Sequence, residues 1–334
     1  MSRFVSATAP SGDAVSPPPG EIDGTPVANV PVLMRRIAIT GLLLACGCFA
    51  AVAFAAVPDM PTLPPAPVIG TVAPPASQPA SVLATHLLVT WYGNPWTGRM
   101  GILGRLRGAS LAEGLKRQAD AYAKVSSKTV LPAYELIAVI AQGQPGRDGM
   151  YRRRESREVI DRMLREARSA GAKLILDVQP GRSTVMDELL YLLPYLEQPD
   201  VYLALDPEFS MGTDGVPGRR IGQMRAHEVN DAIALLELLI HRRNLPAKVL
   251  IVHQFVTGMM PDKEAIADSA VLDVVLDVDG FGSPALKRST YRAVLAQRAL
   301  PFTGFKLFYL EDTDLLQPAQ VLALTPAPAV IIYQ

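Results

Sequence analysis

Cysteine is nearly missing from this chain. The only two among 334 residues, Cys46 and Cys48, lie within one hydrophobic run. Everything after residue 60 therefore lacks a disulfide, a cysteine zinc site and a thiol nucleophile. Histidine is scarce too, at four, which argues against a multi-histidine zinc hydrolase. Net charge is absent: 32 basic side chains balance 32 acidic ones, so no overall field draws the chain to nucleic acid. What the sequence has in quantity is apolar residues, 49% of the total. That suffices for one large core or two smaller ones.

The first third reads as an address and a tether. Residues 1–36 are rich in Ser, Pro, Gly, Ala and Val and show no period, as expected of a disordered tail. Arg35 and Arg36 close it. Residues 37–57 then run without a charge, long enough to cross a hydrocarbon layer of roughly 30 Å. The positive flank predicts that residues 1–36 stay inside and the rest lies outside. Two other readings share that topology. Leu43-Leu44-Ala45-Cys46 resembles a lipobox, although uncharged residues continue to Val57. Ala53-Phe54-Ala55 resembles a signal-cleavage site, and a start at Met34 would shorten the leader. Residues 58–82 carry Pro58, Pro64-Pro65, Pro74-Pro75 and Pro79, which predicts an extended, semi-rigid spacer.

The last part, residues 83–334, alternates short Val/Ile/Leu-rich runs with longer amphipathic ones. Strands are expected at 86–92, 130–138, 173–178, 201–205, 248–253, 273–278, 305–309 and 330–333. Their near-continuous apolar character suggests burial on both faces. Helices are expected at 111–126, 157–170, 185–196, 227–243, 263–268, 284–300 and 318–324. Ser110 with Glu113 reads as a capping box, Ser156 as a cap and Gly171 as a C-terminal glycine. Eight strands and seven main helices in strict alternation predict an α/β fold, a (β/α)8 TIM-type barrel, ahead of an open doubly wound sheet. The strand-to-helix connections at 93–110, 141–156 and 207–226 are long and the reverse ones short. Barrel enzymes elaborate that same face. With no helix after the last strand, the ring is expected either to be covered by the spacer or to stay partly open.

The strand ends carry the chemistry. Asp177 and Gln179 share a face, as do Asp206 and Glu208, and Asp277 and Asp279. Carboxylate-rich mouths suit glycoside hydrolysis, which needs one protonated and one ionised acid. Glu208 is the first candidate for general acid or base, beside Asp206. Asp279, Asp177 and Glu135 are candidates for the second carboxylate. Trp91, Tyr92, Asn94 and Trp96 in the first loop are candidate sugar contacts, with Gln179, Arg182, His253, Gln254, Lys306 and Tyr309 from other strand ends. No cofactor and no resident metal is assigned. The rival chemistry is a metal-dependent phosphodiesterase: Asp177, Asp206, Glu208, Asp279 and His253 form an oxygen-rich set suited to Mg²⁺, Mn²⁺ or Ca²⁺. Arginines on the same face, among them Arg99, Arg152-Arg153-Arg154 and Arg182, would hold its anionic substrate. A third reading is a non-catalytic barrel that binds a glycan or a partner.

Several blocks carry a resemblance: Tyr92-Gly93-Asn94-Pro95, Leu176-Asp177-Val178-Gln179-Pro180-Gly181-Arg182-Ser183, Leu205-Asp206-Pro207-Glu208, Val252-His253-Gln254-Phe255, Asp277-Val278-Asp279-Gly280-Phe281-Gly282 and Lys306-Leu307-Phe308-Tyr309. Over about residues 86–334 the chain resembles a family of uncharacterised bacterial envelope proteins, described as lipoproteins, with a glycosidase-like barrel. The resemblance implies an exported domain attached to the cell envelope and brings no activity with it. Trp91 to Pro95 also resembles the first strand of endo-mannosidase-like barrels; no catalytic residue is carried over from those five positions.

Overall fold

The computed structural model describes residues 80–334 except Ala299. The expected tail, the apolar segment 37–57 and most of the spacer lie outside the described residues. Among the described residues, no helix is long and apolar enough to cross a membrane.

Eight parallel strands close into a barrel. They are β1 (His86–Gly93), β2 (Thr129–Ala141), β4 (Lys173–Val178), β5 (Val201–Leu205), β6 (Lys248–Gln254), β7 (Leu272–Val278), β8 (Phe302–Leu307) and β9 (Val330–Tyr333). Closure is explicit, since β1 pairs in parallel with both β2 and β9. A ninth, short strand, β3 (Arg152–Arg154), pairs antiparallel with the end of β2. The sequence does not announce it, because three consecutive arginines carry no strand pattern. The seventh parallel strand sits earlier than its sequence suggests: Phe302–Leu307 rather than 305–309. Phe308 and Tyr309 are apolar enough to mimic a strand end, but Tyr309 leaves the sheet and stacks on Tyr333.

Two single turns, α1 (Val82–Thr85) and α2 (Ile102–Arg105), flank β1. Long helices surround the barrel: α3 (Gly108–Ala123), α4 (Arg157–Ser169), α5 (Val185–Leu196), α6 (Ala226–Arg243) and α7 (Pro284–Gln297). Their apolar stripes explain their placement. In α6, Ala226, Val229, Ala232, Ile233, Leu236, Leu239 and Ile240 are buried, the i, i+3, i+4 spacing of one face. Ser156 takes the N-cap position of α4 as expected, and Gly171 adopts positive φ just past its end. The capping box at Ser110 and Glu113 is not formed. The helix already begins at Gly108, after Arg107, and Ser110 lies within its first turn. The expected helix 263–268 is reduced to one 3-10 turn, Lys263–Ala265. Helix α8 (Pro318–Leu322) is the short seventh crossover.

Two apolar layers result. The outer one lies between strands and helices, and Trp91, Leu189, Val229 and Leu236 belong to it. The inner one fills the barrel, with Leu88, Ile175, Tyr202, Val249, Val275 and Val330. The turn α1 plugs the end where the strands begin. Its Leu83 is fully buried in the inner layer, and Leu83 N donates to Asp273 Oδ2 at 2.8 Å. The seam between β9 and β1 is covered by tyrosines. Tyr122 on α3 meets Tyr333 OH to OH at 2.9 Å, and Tyr309 OH donates to Gln118 Oε1.

One buried lysine near the same end gives a testable signature. Lys248 Nζ donates to the carbonyls of Gln198 and Val201 at 2.5 and 2.7 Å. Burial pulls its pKa down to about 8. The unfolded chain then holds this proton at pH values where the native state has released it. Stability is therefore expected to rise from about pH 8 towards 10 through this group. Lys248→Met should flatten that rise, read by thermal unfolding across the interval.

Candidate active site

The mouth at the strand ends is built in two polar layers. In the lower one, Glu135 (β2), Asp177 (β4), His253 (β6) and Asp277 (β7) are all buried. They come together because alternation points each inward and strand pairing sets their heights. His253 pairs directly with Asp277, and Tyr92 with Glu135. The His253 ring is bracketed, with Nε2 3.0 Å from Glu135 Oε1 and Nδ1 3.0 Å from Asp277 Oδ2. Burial opposes the charge of this ring, but the hydrogen bonds to Asp277 and Glu135 outweigh it and lift the pKa well above the ordinary value. Tyr92 OH donates to Asp177 Oδ2 at 3.0 Å. Burial raises Asp177 to about 7, against the pull of His253. Gly304 makes room here, because a Cβ at that position would stand 2.5 Å from Asp277 Oδ1.

The upper layer holds Gln179, Asp206, Glu208, Asp279 and Lys306, which line an open pocket of about 610 Å³. Gln179 Nε2 donates to Tyr92 OH at 3.2 Å and Asp206 Oδ2 at 3.4 Å. Asp279 Oδ2 lies 3.7 Å from His253 Nδ1 and 4.0 Å from Lys306 Nζ. Lys306 Nζ also sits 3.8 Å above the Tyr92 ring. Burial, then the charge of Asp177, pushes Asp206 well up. Burial and then Asp279 raise Glu208. Burial raises Asp279 too, opposed by Lys306 and His253.

Glu208 sits in a 3-10 turn, Pro207–Phe209, that follows β5. Its carboxylate has no hydrogen-bond partner among the described residues. Gly222 wraps beneath this turn and donates to the Glu208 carbonyl at 2.6 Å. A Cβ on Gly222 would meet the carbonyls of Ser210, Glu208 and Pro207 within 2.7 Å, so this approach needs glycine.

The pocket walls are aromatic: Phe209, Phe255, Phe281 and Phe308, with Tyr92 at the base. Phe281 and Phe308 pack edge to face at 5.8 Å. None of the four phenylalanines stands out in the sequence. They follow the strand ends by one to four positions, and only the closed ring turns them towards a common space. A larger groove, about 740 Å³, lies outside the barrel along α3 and the start of β2. Its two acids, Glu113 and Asp120, are exposed and paired with Arg117 and Lys116 along α3, so the buried, convergent acids belong to the mouth.

The structure redistributes the other candidates. Trp91 faces outward beneath α3, where its ring lies against Gly114; its neighbour Tyr92 takes the inward place, as alternation requires. Trp96 is 58% exposed and does not line the pocket. Its Nε1 donates to Glu155 Oε2 at 2.9 Å. Asn94 is buried and donates to Ile137 O and Glu155 Oε1. Gln254 turns to the helix side, where Lys263 Nζ donates to its Oε1. Tyr309 belongs to the seam. Glu135, Asp177 and His253 are sealed one layer below the pocket.

The arginines are also accounted for. Arg152 and Arg154 both donate to the fully buried Glu188, at 2.8 and 2.6 Å. Arg153 donates to Glu155. Arg182 donates to the carbonyls of Gly215 and Asp214 and stacks on Tyr151. Of the arginines singled out for an anion, Arg99 alone lines the pocket. The two acids that hold the run, Glu155 and Glu188, give no local signal, since the first lies in a loop and the second in a helix.

In comparisons with known proteins, no family model matches the chain, and no curated protein matches it.

Proposed function

We propose that this chain is a membrane-tethered, extracytoplasmic glycoside hydrolase that acts on an envelope glycan. The observation that carries the reading is the pocket: carboxylates from two different strand ends, Glu208 and Asp279, open into one aromatic-walled space. Aromatic faces stack on sugar rings, and paired acids perform the cleavage. Glu208 is assigned as general acid. Its carboxyl has no hydrogen-bond partner among the described residues, and burial and the charge of Asp279 outweigh the pull of Lys306 and His253 to favour its protonated form. Asp279 is assigned as the ionised partner: burial raises its pKa, but Lys306 at 4.0 Å and His253 at 3.7 Å stand directly beside its carboxylate and oppose that rise. Asp206 and Gln179 orient the sugar from the base of the pocket. The resemblance to envelope proteins and the charge-free segment 37–57 support the location.

The phosphodiesterase reading is weaker. Most of the arginines it needs are already bound to Glu155, Glu188 or backbone carbonyls. The test is release of reducing ends from a panel of envelope glycans by the full chain in detergent. Turnover by the wild type is expected, with a loss of about 10²- to 10⁴-fold for Asp279→Asn. Glycan binding without turnover would replace the hydrolase by a binding barrel.

A further inference from the structure

Below the acid pocket lies a group of buried side chains that the proposed hydrolysis places in no contact with the sugar, His253 acting only through its charge beneath Asp279. We propose that Glu135, Asp177 and His253 form a divalent-cation site under the floor of the pocket, with Asp277 orienting the imidazole from behind.

Geometry comes first. One ligand atom from each of the three residues lies within 4.8 Å of the others. Glu135 Oε1 and His253 Nε2 are 3.0 Å apart. Adjacent ligands on a small cation with bonds of about 2.1 Å stand at about that spacing. The three residues come from β2, β4 and β6, so the donors are set on rigid elements and need little rearrangement.

The second observation is independent of spacing. Glu135 Oε2 and Asp177 Oδ1 are buried and have no hydrogen-bond partner among the described residues. Both side chains are wholly buried. A carboxylate oxygen left dry and unpaired is costly, and a cation between them removes that cost. Asp206 Oδ1, Asp277 Oδ1 and Asp279 Oδ1 are orphaned in the same region.

Charge points the same way. The two layers bring six acids, Glu135, Asp177, Asp206, Glu208, Asp277 and Asp279, around two buried cationic side chains, His253 and Lys306, with Arg99 on the pocket wall and Lys287 already paired with Asp312. Such an excess of acids is met by protons or by a bound cation. The outer contacts match those that support metal ligands elsewhere. Asp277 holds Nδ1 of His253 at 3.0 Å, which leaves Nε2 for the ion. Tyr92 OH holds one oxygen of Asp177, which leaves the other. Two carboxylates and one imidazole suit Mn²⁺ or Mg²⁺. On binding, the ion takes the place of the proton between Nε2 and Glu135, and positive charge stays beneath Asp279.

The experiment is ion uptake by the full chain, stripped with chelator and dialysed against MnCl₂, MgCl₂, CaCl₂ or ZnCl₂ in turn. Bound metal is counted by elemental analysis and affinity by calorimetry. One equivalent of Mn²⁺ or Mg²⁺ is expected, with a rise in unfolding temperature. Asp277→Asn should weaken binding about 10- to 100-fold. His253→Gln and Glu135→Gln should abolish it, and Glu208→Gln should leave it unchanged; circular dichroism verifies that each variant is folded. Failure of the folded wild type to bind any of the four ions at roughly millimolar concentration would overturn the site and leave Glu135, His253 and Asp277 as a proton-held triad. Uptake is read without substrate, so failure of this site and failure of the hydrolase reading are distinguishable.

Discussion

Glu208→Gln is expected to lower turnover of a glycan with an unactivated leaving group by about 10²- to 10⁴-fold. The glutamine keeps the shape of the side chain and removes its acidic proton. Because Glu208 is assigned to protonate the leaving oxygen, a substrate whose leaving group departs without protonation should lose far less. KM should change little, since the carboxyl makes no contact within the protein that the amide would break. The pH profile adds a sign. Burial and the neighbouring Asp279 hold the Glu208 pKa above the ordinary glutamate range. The acid form therefore persists to higher pH, and activity falls as pH rises through that raised value. The variant should lose this alkaline limb and keep any acidic one. Steady-state kinetics across pH with two leaving groups makes the comparison. Equal turnover by variant and wild type on both substrates would remove Glu208 from the mechanism.

The largest stability effect is expected far from that carboxyl, at Glu188→Ala. Glu188 is wholly buried in the first turn of α5. It accepts from Arg152 Nε at 2.8 Å, and from Arg154 Nε and Nη2 at 2.6 and 3.1 Å. These bonds fasten β3, and with it the long loop after β2, to α5, the helix that follows the next strand. Removing the carboxylate takes from Arg152, whose side chain is only 10% exposed, its buried partner and leaves it Asp148 alone, and leaves Arg154 only the Asp187 carbonyl as acceptor. Breaking one side of a buried pair costs about 3–5 kcal/mol. Glu188→Gln should cost less, because its amide oxygen still accepts one bond. Arg147→Ala, on the exposed part of the same loop, should stay within about 0.5 kcal/mol. Denaturant unfolding of the three variants tests the order. A Glu188→Ala loss no larger than that of Arg147→Ala would show that the arginine clamp holds nothing.

Much of the fold is legible in local pattern. Apolar runs such as Val201–Leu205 and Leu272–Val278 are buried along their whole length, as parallel strands covered on both faces must be. The stripe of α6 is equally plain. Pattern misleads where a local signal has a distant competitor. Phe308 and Tyr309 extend the pattern of β8, yet the strand ends at Leu307 and the Tyr309 ring stacks on Tyr333. The arginine run suggests a free anion site, but its partners are Glu155 and Glu188, drawn in by the fold.

Local pattern sets the alternation of strand and helix and the polar character of the strand ends. Both follow from nearest-neighbour chemistry, the inward and outward parity of a strand and the 3.6-residue stripe of a helix. Which acids meet depends on closure of the barrel. Closing the ring sets each strand's height against its neighbours, and no local pattern encodes that height. It placed Glu135, Asp177 and His253 one layer below Asp206, Glu208 and Asp279. It turned Trp91 to the helices and Phe281 to the pocket. One set of strand-end residues thereby became two layers, a buried group under the floor and an open pair of acids above it.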